Sequence, residues 1–241
     1  MRLLNTSFLM ISNIFLTFKS ILFWINLVLS VLLLGPIALI VGIVSYDSCL
    51  FMSKLWCRYN LFVLRYICSL KYELQGADMG EHSIIISRHQ SAWETIFFAA
   101  FLEKPIFILK KELLMIPIFG WCLYLLKNIS IDRSDGISSL KKIMRSCDDH
   151  ISSGRTLIIF PEGTRVPYGK NVEIKKGILK ILESLKLSSI VVNHNAGKFW
   201  SKDSMLIKPG TVRIQTLLLK YNPDQFSSKS IIQEHFTKIQ Q

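Results

Sequence analysis

Apolar positions along this chain change their spacing twice. From Ile21 to Val44 nearly every position is Leu, Ile, Val or Phe, and no charged side chain occurs between Lys19 and Asp47. Roughly twenty apolar residues suffice to cross a bilayer as a helix, so the run is long enough. It exceeds a signal-peptide core and reaches Asp47 without an A-x-A-like site, which predicts a retained anchor. Gly35 and Pro36 weaken the helix near its middle, so a spanning helix and a kinked, re-entrant pair of half-helices both fit. Further on, Asp47, Lys54, Arg58, Arg65 and Ser69 fall on a narrow helical stripe among Leu50, Phe51, Leu55, Trp56, Phe62, Val63 and Tyr66. That is the pattern of an interfacial helix, or of a domain helix with one wet edge.

After Lys71 short β-rich runs alternate with helical ones. Strands are predicted over Ser83–Ser87, Pro105–Leu109, Asn128–Ile131, Thr156–Phe160, Ser189–Asn193 and Thr211–Leu219. Ile137, Leu140, Met144, Cys147 and Ile151 recur at helical spacing, closed by Gly154, and Ile174–Leu187 forms a second amphipathic helix. Leu113–Leu126 is apolar on nearly every side and too short to span a bilayer; its aromatic residues beside Lys110, Lys111 and Lys127 suit a headgroup region as well as a core. The order predicts an α/β fold, a mixed sheet flanked by helices, preceded by a hydrophobic helical segment that anchors it to a membrane. Residues 1–70 would form the anchor and interfacial helix, and residues 71–241 one catalytic domain.

The formal net charge of +12 asks for an anionic partner. Residues 71–241 hold 24 of the Lys and Arg and 16 of the Asp and Glu, so the basic character extends beyond the anchor. Nucleic acid would satisfy the charge, but the long apolar run argues for membrane lipid. Lys54, Arg58, Arg65 and Lys71 follow that run closely and only Arg2 and Lys19 precede it, which puts the catalytic part on the cytoplasmic face. Five cysteines without a C-x-x-C pair indicate neither a disulfide framework nor a zinc site.

Two segments carry candidate chemistry. Arg88-His89-Gln90-Ser91-Ala92-Trp93-Glu94 follows a predicted strand, where α/β proteins place their sites. On one continuous helix His89 and Glu94 would point about 140° apart. They meet only if His89 lies in the loop and Glu94 in the first turn of the following helix. Ser91 and Glu94 match a capping box that starts such a helix, so Glu94 has a structural reading beside the catalytic one. A histidine held by a carboxylate can take a proton from an alcohol attacking a thioester. The second segment, Phe160-Pro161-Glu162-Gly163-Thr164-Arg165, also follows a predicted strand. Gly163 permits close backbone approach, Thr164 offers a hydroxyl and Arg165 a fork of donors matched to phosphate; a plain surface turn is the competing reading.

His89 to Glu94, with Phe160 to Arg165 about seventy residues later, resembles the glycerolipid acyltransferase family, which includes bacterial lysophosphatidate acyltransferases. Ile129-Ser130-Ile131-Asp132-Arg133 is similar to the family's second block, and Ile190 to Gly197 to its fourth; the resemblance covers roughly Lys71 to Lys220. It implies a glycerol-3-phosphate acyltransferase-like fold and transfer of a fatty acyl group from acyl-CoA or acyl carrier protein to the sn-2 hydroxyl of lysophosphatidate. It implies no metal or other cofactor. His89 would be the general base supported by Glu94, with Arg133, Glu162, Gly163, Thr164, Arg165 and Lys176 around the substrate phosphate. Another lyso-lipid acceptor, or a catalytically inactive lipid-binding protein, are the alternatives. The chain departs from the family pattern in Glu94 for Asp, in Arg88 for Asn, and in a fourth block without its strand Pro. Arg88 would lower the basicity of His89 or meet a phosphate, and His194 would be a ligand contact or a strand-end structural residue.

Overall fold

The computed structural model describes residues 2–80, 82–132, 136–170, 173–221 and 228–237. Two helices come first, α1 (Arg2–Val44) and α2 (Tyr46–Tyr66), then β1 (Leu70–Gly76), β2 (Ile84–Ser87), α3 (Trp93–Phe101) and β3 (Pro105–Lys110). A 3-10 turn at Lys111–Met115 leads to α4 (Phe119–Leu125), β4 (Ile129–Ile131), α5 (Gly136–Ser152), β5 (Thr156–Ile159) and α6 (Lys176–Leu185). The chain continues through β6 (Ser189–His194), the short α7 (Ala196–Phe199), β7 (Gly210–Leu219) and α8 (Ser228–Thr237). The strands form one sheet in the order β1-β7-β6-β2-β5-β3-β4, with every pairing parallel except β6 with β7.

The central strands are buried on both faces because their apolar runs do not alternate with polar residues. Ile84, Ile85 and Ile86 are all fully buried, each worth roughly 1.5–3 kcal/mol relative to exposure. Period-two geometry sends them to opposite cores. Ile84 and Ile86 pack with Leu157, Ile159 and Val191 against Ile143 and Cys147 of α5, Ile181 of α6 and Phe236 of α8. Ile85 packs with Ile158, Ile190 and Val192 against Leu64 of α2, Trp93 and Phe98 of α3, and Phe23 of α1.

All six predicted strands are present within a residue or so of their predicted ends. The unexpected one is β1, an edge strand of which only Leu70 is buried. Leu113–Leu126 is divided rather than one helix: the chain breaks at Ile118, which has a positive φ of 64°.

The predicted weak point at Gly35-Pro36 does not break α1. A Cβ on Gly35 would lie 2.2 Å from Ile118 Cγ2, so this glycine is where the helix accepts α4. The chain turns instead at Ser45, whose hydroxyl accepts the Ser48 N–H and caps α2. α2 then returns antiparallel along α1 through polar contacts: Trp56 Nε1 donates to Ser30 Oγ at 2.9 Å, and Tyr59 Oη to Asn26 Oδ1 at 2.5 Å. On its other edge Lys54 and Arg58 donate to the carbonyls of Glu103 and Ala100 at the end of α3. The inner face of α1 is tied to the catalytic part as well. Phe23 is fully buried against Trp200, Trp24 Nε1 donates to Met205 O, and Ser20 Oγ accepts the Ile207 N–H. The boundary at residue 70 is therefore one of composition, not of packing. The outer face stays apolar and exposed, through Leu33, Ile37, Ile40, Ile43 and Val44, beside Trp121 and Tyr124 of α4.

Arg155 locks the turn end of this hairpin. Its guanidinium lies over the Tyr46 ring and donates to the carbonyls of Lys127, Leu126 and Pro105. Arg155→Met should leave those acceptors unpaired and cost about 2–4 kcal/mol, read as a lowered unfolding midpoint in detergent with secondary structure intact at low temperature.

Candidate active site

Neighbouring strands deliver the two chemical segments to one end of the sheet. β2 and β5 are paired with Ile86 opposite Ile159, and β2 and β6 with Ser87 opposite Val192, so the chain leaves all three strands side by side. His89 sits in the loop after β2 and Glu94 in the first turn of α3, the geometry their spacing requires. His89 Nδ1 lies 2.8 Å from Glu94 Oε1. The same carboxylate accepts the main-chain N–H groups of Gln90 and Ser91 at 2.9–3.1 Å. The Glu94 carboxylate thus holds the loop main chain and meets the His89 ring at once. Only half of the expected capping box forms, because Ser91 Oγ accepts from Trp93 N.

Burial alone pushes the Glu94 carboxyl up; the hydrogen bond from His89, the nearby His194 ring and the Ser91 N–H outweigh it and hold it below the usual carboxylate value. An ionised Glu94 accepts Nδ1–H, which leaves Nε2 as the ring nitrogen able to take a proton. The imidazole is also stacked on Phe160, with centroids 4.1 Å apart and planes at 19°.

The 160–166 loop grips His89 through its main chain. Both Glu162 oxygens accept the His89 N–H at 3.2 Å, and Val166 N donates to His89 O at 2.7 Å. Gly163 turns the loop with a φ of 66°, its N–H bonded to Phe160 O. Over Gly163 lies the side chain of Lys175, with Nζ 3.2 Å from where a Cβ would stand.

Sequence reasoning selected the neighbouring lysine: Lys176 is exposed at the first position of α6, while Lys175 is anchored by its N–H to Pro161 O. Thr164 is exposed and Arg165 half-buried in the same loop, and Arg133 lies outside the described residues. Glu162 points inward: its side chain is 1% exposed and faces Arg88 at 3.6 Å. Arg88 is fully buried. His194 is a structural residue, with Nε2 on Arg88 O at 3.0 Å and Nδ1 accepting from Ala196 N. The fourth block closes on the first where Gly197 N donates to Gln90 Oε1, and a Cβ on Gly197 would stand 2.9 Å from Gln90 Cβ.

A family model described as Acyltransferase matches residues 71–195, the stretch from β1 through β6. The chain belongs to the acyltransferase family. Among relatives of this acyltransferase is the 1-acyl-sn-glycerol-3-phosphate acyltransferase of Pseudomonas aeruginosa, 37% identical over 166 residues, which are 68% of this chain and 65% of that protein. The Helicobacter pylori protein of the same name is 33% identical over 189 residues, covering 73% of this chain and 77% of that one. The fold is shared with the crystal structure of the 1-acyl-sn-glycerophosphate (LPA) acyltransferase PlsC from Thermotoga maritima, with a TM-score of 0.73, 19% identity and 92% of each chain covered.

Glu94 joins ring and loop, so its two conservative replacements should both be costly. Glu94→Gln removes the charge that fixes the tautomer and should lower kcat by about 10²–10⁴-fold. Glu94→Asp retracts the carboxylate by one methylene and should lose about 10²-fold. Initial rates on proteins with unchanged circular dichroism check both.

Proposed function

We propose that the chain is a 1-acyl-sn-glycerol-3-phosphate O-acyltransferase, moving a fatty acyl group from acyl-CoA or acyl carrier protein to the sn-2 hydroxyl of lysophosphatidate to make phosphatidate for phospholipid synthesis. The observation that carries this reading is the 2.8 Å His89–Glu94 pair set against the Gly163 turn. His89 Nε2 takes the proton from the acceptor hydroxyl as its oxygen attacks the thioester carbonyl. The C–O bond forms, the C–S bond breaks, and the imidazolium returns the proton to the departing thiolate. Glu94 stabilises that imidazolium. A thioester is already activated, so the chemistry needs neither metal nor redox cofactor.

Arg133, Thr164, Arg165 and Lys176 remain the phosphate ligands of this reading, with Gly163 opening the approach and Lys175 added by its place over the turn. Glu162 takes a different part, holding the His89 main chain.

The same reading makes residues 1–70 the membrane attachment. α1 contains a stretch, Asn13–Val44, long and apolar enough to cross a bilayer, with a mean hydropathy of 2.9. Its inner face is fixed to the catalytic part from Ser20 to Gly42, which favours a hairpin embedded from one side over a helix that leaves the domain to cross. The basic residues that follow support an active site on the cytoplasmic face.

The deciding assay gives purified enzyme lysophosphatidate or other lysophospholipids, each with acyl-CoA and acyl carrier protein donors. Transfer to lysophosphatidate that disappears in His89→Ala, with lipid binding kept, is the expected result. Silence on lysophosphatidate with both donors contradicts the acceptor assignment, and undiminished turnover by His89→Ala contradicts the mechanism. Separately, Ile40→Asp with Ile43→Asp should cut sedimentation with anionic vesicles by about 10-fold or more, since each charge opposes burial of the outer face of α1; unchanged sedimentation would remove α1 as the attachment.

A further inference from the structure

Arg88, one position before the general base, is fully buried and is among the largest such side chains in the protein. Its partners come from two distant segments, the β5–α6 connection and α8. Nη1 donates to Phe236 O in the last turn of α8 at 3.1 Å, Nη2 donates to Lys170 O at 3.2 Å, and Nε faces Glu162 Oε1 at 3.6 Å. The guanidinium also lies 5.9 Å from the centroid of the Phe236 ring. A cation here is tolerable only because the Phe236 carbonyl at the negative end of α8, the Lys170 carbonyl and the Glu162 carboxylate surround it. α8 is itself held to the sheet close by, since Asn193 Nδ2 donates to His235 O at 2.6 Å and the His235 ring meets Gln215 O.

Glu162 depends on the arrangement in return. Burial pushes its carboxyl up to about 7, against the lowering effects of its own N–H, of Arg88 and of the His89 N–H. Glu94 adds to the upward push. Without Arg88 nothing of opposite charge in that set remains, and a protonated Glu162 holds the His89 N–H only weakly.

We propose that Arg88 is a positioning residue: braced by the C-terminal turn of α8, it keeps Glu162 a carboxylate on the His89 main-chain N–H, so that α8 sets the pose of the general base. Arg88 touches no substrate in this role, which separates it from Arg165. The proposal rests on His89 being the base of acyl transfer but not on which lyso-lipid is the acceptor.

The test compares full-length wild type, Arg88→Met, Glu162→Gln and the double variant, using kcat against pH with whichever acceptor wild type turns over. A second readout is the pH titration of the His89 backbone amide by NMR, which needs no turnover. Arg88→Met should move the acid limb of kcat to higher pH by about one unit and lower kcat at pH 7 by about 10–100-fold, with KM for the acceptor within about threefold. The His89 amide should titrate at correspondingly higher pH. Glu162→Gln has no carboxyl to titrate, so adding Arg88→Met to it should produce no further shift in either readout.

An equal shift in both backgrounds would mean that Arg88 acts on the imidazole directly and would overturn the proposal, as would a uniform loss without any shift, or a rise in KM alone. If Arg88→Met does not fold, Arg88→Lys keeps the charge: unchanged limb and amide titration with partial kcat is the supporting result, and a shift as large as that expected for the neutral side chain contradicts it. A wild-type enzyme inactive with every acceptor would defeat the acyl-transfer reading while leaving the amide titration to decide the coupling between Arg88 and Glu162.

Discussion

Hydrogen bonds to both main-chain groups of one residue, His89, hold the active site together. The His89 N–H enters the Glu162 carboxylate and the His89 carbonyl receives the Val166 N–H, so the loop after β5 fixes the loop after β2 at the base itself. The ring is then defined by Glu94 on one edge and Phe160 on one face. Rotation about a single side chain is too free to aim an imidazole at a thioester, and fixing it from main chain, edge and face at once removes that freedom before substrate arrives. Sheet register makes this possible: had β2 slipped by one residue against β5, the Ile triplet would exchange cores and His89 would leave the loop.

The same clamp explains the buried charge. Arg88, Glu94, Glu162 and His194 are all nearly or wholly removed from solvent around His89. Their surroundings push the two carboxylates apart. Glu94 is held low, against its burial, by His89, the nearby His194 ring and a loop N–H, while burial carries Glu162 up to about 7 despite Arg88. Environments that separate like groups assign them unlike work. Glu94 orients and stabilises the ring, and Glu162 holds the backbone behind it. His194, with its pKa lowered by burial, bridges the Arg88 carbonyl and the Ala196 N–H as a neutral ring.

Most of the sheet was legible in the sequence, since runs such as Ile84-Ile85-Ile86 and Thr156-Leu157-Ile158-Ile159, bounded by turn residues, have few other uses. The loop position of His89 and the first-turn position of Glu94 followed from their separation alone. β1 was missed because only Leu70 of it is buried, and its Leu-Lys-Tyr-Glu-Leu pattern is that of a half-wet edge. Of the two readings of α1 the unbroken helix is the one seen, because Pro36 marks only a local weakness, whereas packing decides where a hairpin turns. Gly35 is filled by Ile118 from another part of the chain. Arg88 was unreadable for a similar reason: its partner Phe236 lies 148 positions away, and nothing near Arg88 signals that an α8 carbonyl will reach it. Lys175 and Lys176 differ by one position on either side of a helix start, a resolution that periodicity does not provide.

The central claim is that the folded protein presents His89 with its proton on Nδ1, toward Glu94, and its lone pair on Nε2. Imidazole ¹⁵N chemical shifts of His89, assigned among the five histidines by a His89→Gln variant, measure this directly at a pH where the ring is neutral. The account predicts a protonated, Glu94-bonded Nδ1 and an unprotonated Nε2. The reverse tautomer, or an equal mixture of the two as in free imidazole, would contradict it.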